Sequence, residues 1–380
     1  MGKCNGVREV GYLDCAGGGQ VVVEGNYAYI GHIEGPAGTT IVDVSDPKHP
    51  RTVWERGIPQ GLHSHKVRVA NDLMLINHEF DPMFKGSRDA TASTGIGIYD
   101  VSNPAKPKPI TFWNTVGSGV HRFTFDGRYA YLSPTMEGYR NNIVVILDLA
   151  DPAKPVEVGR WWMPGQWTAG GEPRTFPDGG AIEPRCHHPI RRGDRLYVSY
   201  WHGGGFILDI SDMSKPKTIS HIDYRTVFPW PTHSLVPIPF PIHGHKWMLV
   251  ADEDLLPRKL PHEPQMHAFL WMWNITDETK PVPVGSFQVE GVDGSGGGWE
   301  TGCHQPVEEI IGTEVPCAWF AQGLRIIDIS NPHTLREVAS FMPEPAGSQR
   351  VCSNDVFQDQ RGLIYLIDRY RGLHIVERTV

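Results

Sequence analysis

Five histidines recur in one local setting, each at the start of a short strand-like segment: His65 in Gly61-Leu62-His63-Ser64-His65-Lys66-Val67, His121 in Val120-His121-Arg122-Phe123, His187 in Cys186-His187-His188-Pro189, His233 in Thr232-His233-Ser234-Leu235, and His304 in Cys303-His304-Gln305-Pro306. Neutral imidazole ligates Fe, Cu, Zn, Mn or Ni. A lone interior histidine is ordinarily structural, whereas a ring of unliganded imidazoles in equivalent positions needs many buried hydrogen-bond partners. The recurrence therefore predicts one transition-metal ion, with iron favoured and Cu, Zn or Mn as alternatives. A single ion seldom takes five imidazoles, which leaves one ring for substrate contact, proton transfer or a second ion. The ends of the strands that follow are polar as well, and they supply Glu79, Glu137, His202 and Glu253. These are the candidate catalytic residues, able to move protons or to orient the ligating rings. His63 and His188 adjoin the predicted ligands without an assigned role.

Other chemistries find less support. Cys186, Cys303 and Cys352 stand beside the same segments, but strand alternation predicts that they face away from the histidines, and free cysteine is commonly a small buried apolar residue. No HExxH, P-loop or GxSxG motif is present, and the glycine run Gly294 to Gly298 reads as a loop. A net charge of −8 without a dense Lys/Arg run argues against a nucleic-acid partner. The N-terminal residues lack the apolar core of a signal peptide, and no segment is long and apolar enough for a membrane span. Six cysteines without a CxxC pair read as reduced thiols. The expectation is a cytoplasmic protein acting on a small molecule, with no membrane partner.

The elements that must position these residues come from a repeat. An apolar strand ends in an acidic or amide residue and runs into a Ser/Asp/Asn-Pro turn, as in Ile41-Val42-Asp43-Val44-Ser45-Asp46-Pro47, Ile98-Tyr99-Asp100-Val101-Ser102-Asn103-Pro104 and Ile146-Leu147-Asp148-Leu149-Ala150-Asp151-Pro152. Further copies centre on Asp209, Asn274 and Asp328, and a truncated one on Glu377. A blade-sized period with loop insertions is the mark of a propeller. An upstream strand repeats too (Tyr27-Ala28-Tyr29-Ile30, Tyr129-Ala130-Tyr131-Leu132), as does a downstream one (Val156-Glu157-Val158-Gly159-Arg160-Trp161). The fold class predicted is all-β: residues 1–380 form a single seven-bladed β-propeller of four-stranded blades. The last copy stops short of its outer strand, and Arg8-Glu9-Val10-Gly11-Tyr12-Leu13 matches that strand's pattern, so residues 7–14 are predicted to close the last blade. The repeated Asp is expected to cap turns.

The repeated Ile/Leu-Val-Asp-Val/Ile-Ser-Asp/Asn-Pro resembles the LVIVD-repeat family of propeller proteins, a likeness that covers essentially the whole chain and bears on fold more than on function. In such a fold the innermost strands line a channel, which would bring the five histidines together. Histidine rings of this kind are similar to those of two other propeller families. These are the carotenoid-cleavage oxygenases, with four histidines on iron, and the selenium-binding or methanethiol-oxidase proteins, through Trp201-His202-Gly203 and Leu208-Asp209-Ile210-Ser211-Asp212. The resemblance implies a non-haem oxidoreductase or oxygenase acting on a small apolar or aromatic substrate. Two alternatives stand beside it: a hydrolase, lyase or isomerase using the metal as Lewis acid with a Glu acid/base, and a non-catalytic scaffold. Aromatic residues at the long insertions (Trp161, Trp162, Trp167, Phe176, Phe228, Trp230, Phe240) are candidates for an apolar lid.

Overall fold

The acidic or amide residue that closes each repeated strand turns back onto its own chain. Asp100, Asp148 and Asp328 accept the backbone N–H two residues on at 2.8 Å, and Asp209 and Asn274 do so at 2.9 Å. The turn residues Asp46, Asn103 and Asp151 repeat the contact at 3.0 to 3.1 Å. The repeated Asp is thus a turn former, as expected.

These turns lie between the third and fourth strands of each sheet in the computed structural model, which describes residues 2–87, 89, 91–176, 183–224, 228, 231–253, 267–290 and 302–379. Every regular element among the described residues is a β-strand, and no helix is long and apolar enough to cross a membrane. The strands form seven antiparallel sheets, the blades of an all-β seven-bladed propeller. The third blade shows the plan: Val120–Phe125, Tyr129–Pro134, Val144–Asp148 and Val156–Trp161 pair in chain order.

Middle strands are covered on both faces and so run continuously apolar. Val144, Val145, Ile146 and Leu147 are all fully buried. On one side Val145 and Leu147 pack with Leu75, Ile96 and Ile98 of the second blade. On the other, Val144 and Ile146 pack with Leu196, Val198 and Phe206 of the fourth. Each such side chain contributes about 1.5–3 kcal/mol.

The fourth strand of every blade carries a one-residue bulge, whose extra residue is Val10, Val53, Ile110, Val158, Ile219, Val284 or Val338. Three of these are followed by glycine for a packing reason. A Cβ on Gly11, Gly159 or Gly285 would overlap the carbonyl oxygen of Pro47, Met213 or Pro332, each in the Asp-Pro-type turn of another blade. The bulge and the turn are therefore two halves of one blade-to-blade contact.

The last blade is closed as predicted: Val7–Asp14 pairs with Gly372–Arg378, from Val7 opposite Arg378 to Asp14 opposite Gly372. One strand was not anticipated. Lys3–Asn5 adds a fifth strand to the sixth blade by pairing with Arg336–Met342. The chain divides into two compact units, one of Met1–Val21, Ser45–Pro50 and Val227–Val380, the other of Val22–Val44 and Arg51–Thr226.

Candidate metal centre

Four of the five predicted ligands stand where the innermost strands break register, and His304 lies just before the short strand Gln305–Pro306, its N–H tied to the Ala318 carbonyl at 3.2 Å. In the fourth blade Cys186 faces Tyr200 and His188 faces Ser199, so His187 is an extra residue with no opposite number. His233 is extra in the same way between Thr232 and Ser234. In the third blade His121 and Arg122 together oppose Ser133. In the second, Ser64, His65 and Lys66 interrupt the ladder between His63 and Val67. The seventh blade has the same irregularity at Asn354. A bulge re-aims a side chain and leaves its residue outside the ladder, so these positions can point a ring away from the sheet without costing a strand pair.

The bulges are held by polar side chains on the second strand. Asn77 Oδ1 accepts the Lys66 N–H at 2.8 Å, Ser133 Oγ the Arg122 N–H at 2.8 Å, and Ser199 Oγ the His188 N–H at 3.1 Å. All three are buried in apolar strands. Sequence reasoning passed over them, although a polar residue within Leu75-Ile76-Asn77, Tyr131-Leu132-Ser133 or Tyr197-Val198-Ser199 was a usable signal.

In the unit of Val22–Val44 and Arg51–Thr226, His63, His65 and His121 gather around Glu79, and His187 lies against His121. The Glu79 carboxylate accepts from His121 Nδ1 and from His63 Nε2, each at 2.9 Å. With its Nδ1 proton on Glu79, a neutral His121 carries its lone pair on Nε2, and this atom lies 3.0 Å from His187 Nε2. Two imidazole nitrogens bound to one ion at about 2.0–2.1 Å and at right angles stand about 3.0 Å apart. The His65 and His121 rings are 5.0 Å apart between centroids. His65 Nδ1 accepts from Asn77 Nδ2 at 3.1 Å, which puts the proton of the neutral ring on Nε2, a buried atom with no hydrogen-bond partner among the described residues. His63, His65 and Glu79 also offer ligand atoms within 4.8 Å of one another. Burial, reinforced by His63 and Lys66, holds His65 well below the usual imidazole pKa. Burial together with Arg185 and His187 does the same for His121. Both rings are therefore neutral at physiological pH, the form that binds metal.

In the unit that contains Val227–Val380, the His233 and His304 rings lie 4.1 Å apart between centroids, tilted by 50°. His233 Nδ1 is 2.7 Å from Ser234 Oγ, which in turn donates to Gln305 Oε1 at 2.9 Å. The hydroxyl proton is thus committed to Gln305, and His233 Nδ1 must be the donor to Ser234. His304 Nδ1 donates to the Asn354 carbonyl oxygen, which can only accept. In both rings the lone pair of the neutral form falls on Nε2. Glu253, buried at the end of its strand, places Oε1 3.4 Å from His304 Nε2.

The other predicted residues are placed differently. His202 is buried in a turn with φ of 57°, its ring against Trp201, and Trp201 stacks on His187 at 6.2 Å between centroids. Glu137 occupies an exposed turn, and the structure does not bring it among the imidazoles described above. Cys186 and Cys303 are fully buried, and burial pushes both thiols well up, which leaves them protonated and poor ligands. Plain alternation does not describe these positions, because the bulge at His187 interrupts it beside Cys186.

Among the insertion aromatics, Trp161 packs inside against Tyr200 and Phe206. Trp162 rests between Tyr139 and Trp167, and Phe228 rests on Phe269 and Trp271. Trp230 and the run Gly294 to Gly298 lie outside the described residues.

Comparison with known proteins agrees with this architecture. The LVIVD repeat matches residues 18–54, 125–162, 192–223 and 317–342. No curated protein sequence matches the chain. Among solved structures, U3-55K superposes with a TM-score of 0.62 at 8% identity, covering 98% of each chain. The RRP9 WD40 repeats give 0.62 at 8%, covering 98% of this chain and 100% of theirs. Kuenenia stuttgartiensis hydrazine synthase gives 0.61 at 12%, covering 97% of each. At such identities the likeness is one of fold.

Proposed function

We propose that this LVIVD-repeat β-propeller is a metalloenzyme of oxidative type, in which histidines at the starts of the innermost strands hold a transition metal through Nε2. The observation that carries the reading is the shared tautomer. His121, His233 and His304 each spend Nδ1–H on a fixed acceptor, respectively a carboxylate, a hydroxyl and a backbone carbonyl, and keep Nε2 as a lone pair. Metal-ligating histidines are held in this way. In the unit of Val22–Val44 and Arg51–Thr226, His187 Nε2 faces His121 Nε2 at 3.0 Å as a separate pair of candidate ligands, whereas neutral His65, whose Nδ1 accepts from Asn77, carries its proton on Nε2 and does not share the tautomer.

Glu79 favours redox over acid/base chemistry here. Its carboxylate is committed to two rings and so orients ligands instead of carrying protons to a substrate. Iron is the favoured metal. The substrate we propose is a small apolar or aromatic molecule, for which Trp201, stacked on His187, offers an aromatic face. The six free cysteines fit a reducing, cytoplasmic setting.

The test is elemental analysis and an absorption spectrum of protein purified without a metal-binding tag. Stoichiometric iron or copper supports the reading. Zinc would replace it with Lewis-acid catalysis, and metal-free protein that takes up none on titration overturns it. The double variant His121→Ala/His187→Ala is expected to lose whatever metal those two rings hold, which metal content per chain measures against wild type.

A further inference from the structure

We infer that Glu253 is a direct metal ligand which, with His233 and His304, forms a two-histidine, one-carboxylate set suited to ferrous iron. The inference rests on the proposed metal binding and names the chemistry of the ligand set. The sequence left Glu253 either moving protons or orienting the ligating rings, and the geometry points to a third role.

His304 Nδ1 donates to the Asn354 carbonyl, so the neutral ring turns its Nε2 lone pair toward Glu253 Oε1, 3.4 Å away. A lone pair and an ionised carboxylate repel at that distance unless a cation, either a proton or a metal ion, lies between them. His233 presents a second Nε2 lone pair, fixed through Ser234 and Gln305, and a ligand atom of His233 lies within 4.8 Å of a Glu253 oxygen. Glu253 itself is 6% exposed and its backbone N–H is tied to the Pro231 carbonyl at 2.9 Å, so the carboxylate is delivered by a fixed backbone. Phe320 stacks on His304 at 4.3 Å and holds that ring's plane.

Two neutral imidazoles and one carboxylate leave coordination positions open. This donor set is the one used by non-haem ferrous oxygenases, whereas an all-imidazole set does not distinguish iron from copper or zinc.

The experiment titrates metal-free protein anaerobically with ferrous iron, and in parallel with manganese, for wild type, Glu253→Gln, Glu253→Asp and His121→Ala. Circular dichroism establishes that each variant is folded. Loss of a direct ligand is expected to weaken binding by more than about 100-fold, beyond the roughly 10–100-fold effect of residues that only orient a ligand. Glu253→Asp, which keeps the charge, is expected to recover at least part of that loss. Glu253→Gln binding within 100-fold of wild type overturns the inference while leaving metal binding intact. Wild-type protein that binds neither ion removes the proposed function itself, a result the Glu253 variants cannot produce. Should Glu253→Gln fail to fold, Glu253→Asp decides alone: affinity equal to wild type for both ions would exclude Glu253 from the coordination sphere, because a ligand shortened by one methylene cannot keep its bond length.

Discussion

The Glu79 carboxylate takes the Nδ1 proton of His121 at 2.9 Å, and this contact decides which nitrogen of the ring is left to bind a metal. Glu79→Gln keeps the shape but can offer an N–H where His121 needs an acceptor. Metal affinity is expected to fall by about 10–100-fold, the usual cost of disturbing a ligand's outer partner. Competition against a chelator measures it, and unchanged affinity would detach Glu79 from the metal site.

The serines behind the bulges give a second expectation. Ser133→Ala leaves the buried Arg122 N–H without its acceptor, and Ser199→Ala does the same to His188. Each is expected to destabilise the protein by about 1–3 kcal/mol. Because Ser133 fixes the bulge that aims His121, the Ser133 variant should also bind metal less tightly. Chemical denaturation of the metal-free form separates the two effects.

Gly159 has no room for a side chain beside the Met213 carbonyl. Gly159→Ala must therefore push the fourth blade's turn away from the third blade's bulged strand, at an expected cost of about 1–3 kcal/mol. A comparable change at Gly25, where nothing lies within reach of a Cβ but φ is a left-handed 57°, serves as the control for backbone strain without a steric clash. The thermal midpoint should drop further for Gly159→Ala than steric strain at that open turn explains.

Acid sensitivity has an identifiable contributor in Asp126. Burial alone would raise its pKa, but the Tyr129 and Arg128 N–H groups at 2.6 and 3.0 Å, together with Arg191 and Tyr131, outweigh burial and lower it. A carboxyl whose folded pKa is depressed stabilises the fold above its unfolded pKa, roughly 3.9, and loses that contribution as the pH falls through the folded value. Because Asp126 is an exposed residue and its ion pair is screened by solvent, Asp126→Asn is expected to be less stable than wild type near neutral pH by no more than about 1 kcal/mol. The gap should narrow on acidification, and denaturant midpoints across the pH range would reveal a constant gap if the carboxylate charge were irrelevant.

Much of the fold was legible because its signals are local. Asp148 and Asp151 announce a turn within a few residues of chain, and the likeness of Arg8–Leu13 to other outer strands predicts the closing pair. The histidine positions were legible for the same reason, as repeated neighbours of an inner strand. What could not be read was the register between strands. Whether His187 is one residue too many depends on how Cys186 and His188 line up with Tyr200 and Ser199, which neither strand states alone. For that reason the alternation argument about Cys186 rested on a ladder that the bulge interrupts. The two-ring grip of Glu79 was equally hidden, since His63 and His121 meet it from different blades. Glu137 shows the opposite error: a carboxylate near the right strand end in sequence lies in an exposed turn.

The pairing of Val7–Asp14 with Gly372–Arg378 and of Lys3–Asn5 with Arg336–Met342 has a bearing on synthesis. A ribosome releases these opening strands long before their partners exist, so they must wait, edges bare, while the intervening blades assemble. Their docking belongs to the last moments of maturation, and any adduct on the first few residues would be felt there, as slow or incomplete completion of the final two blades, before it was felt anywhere else.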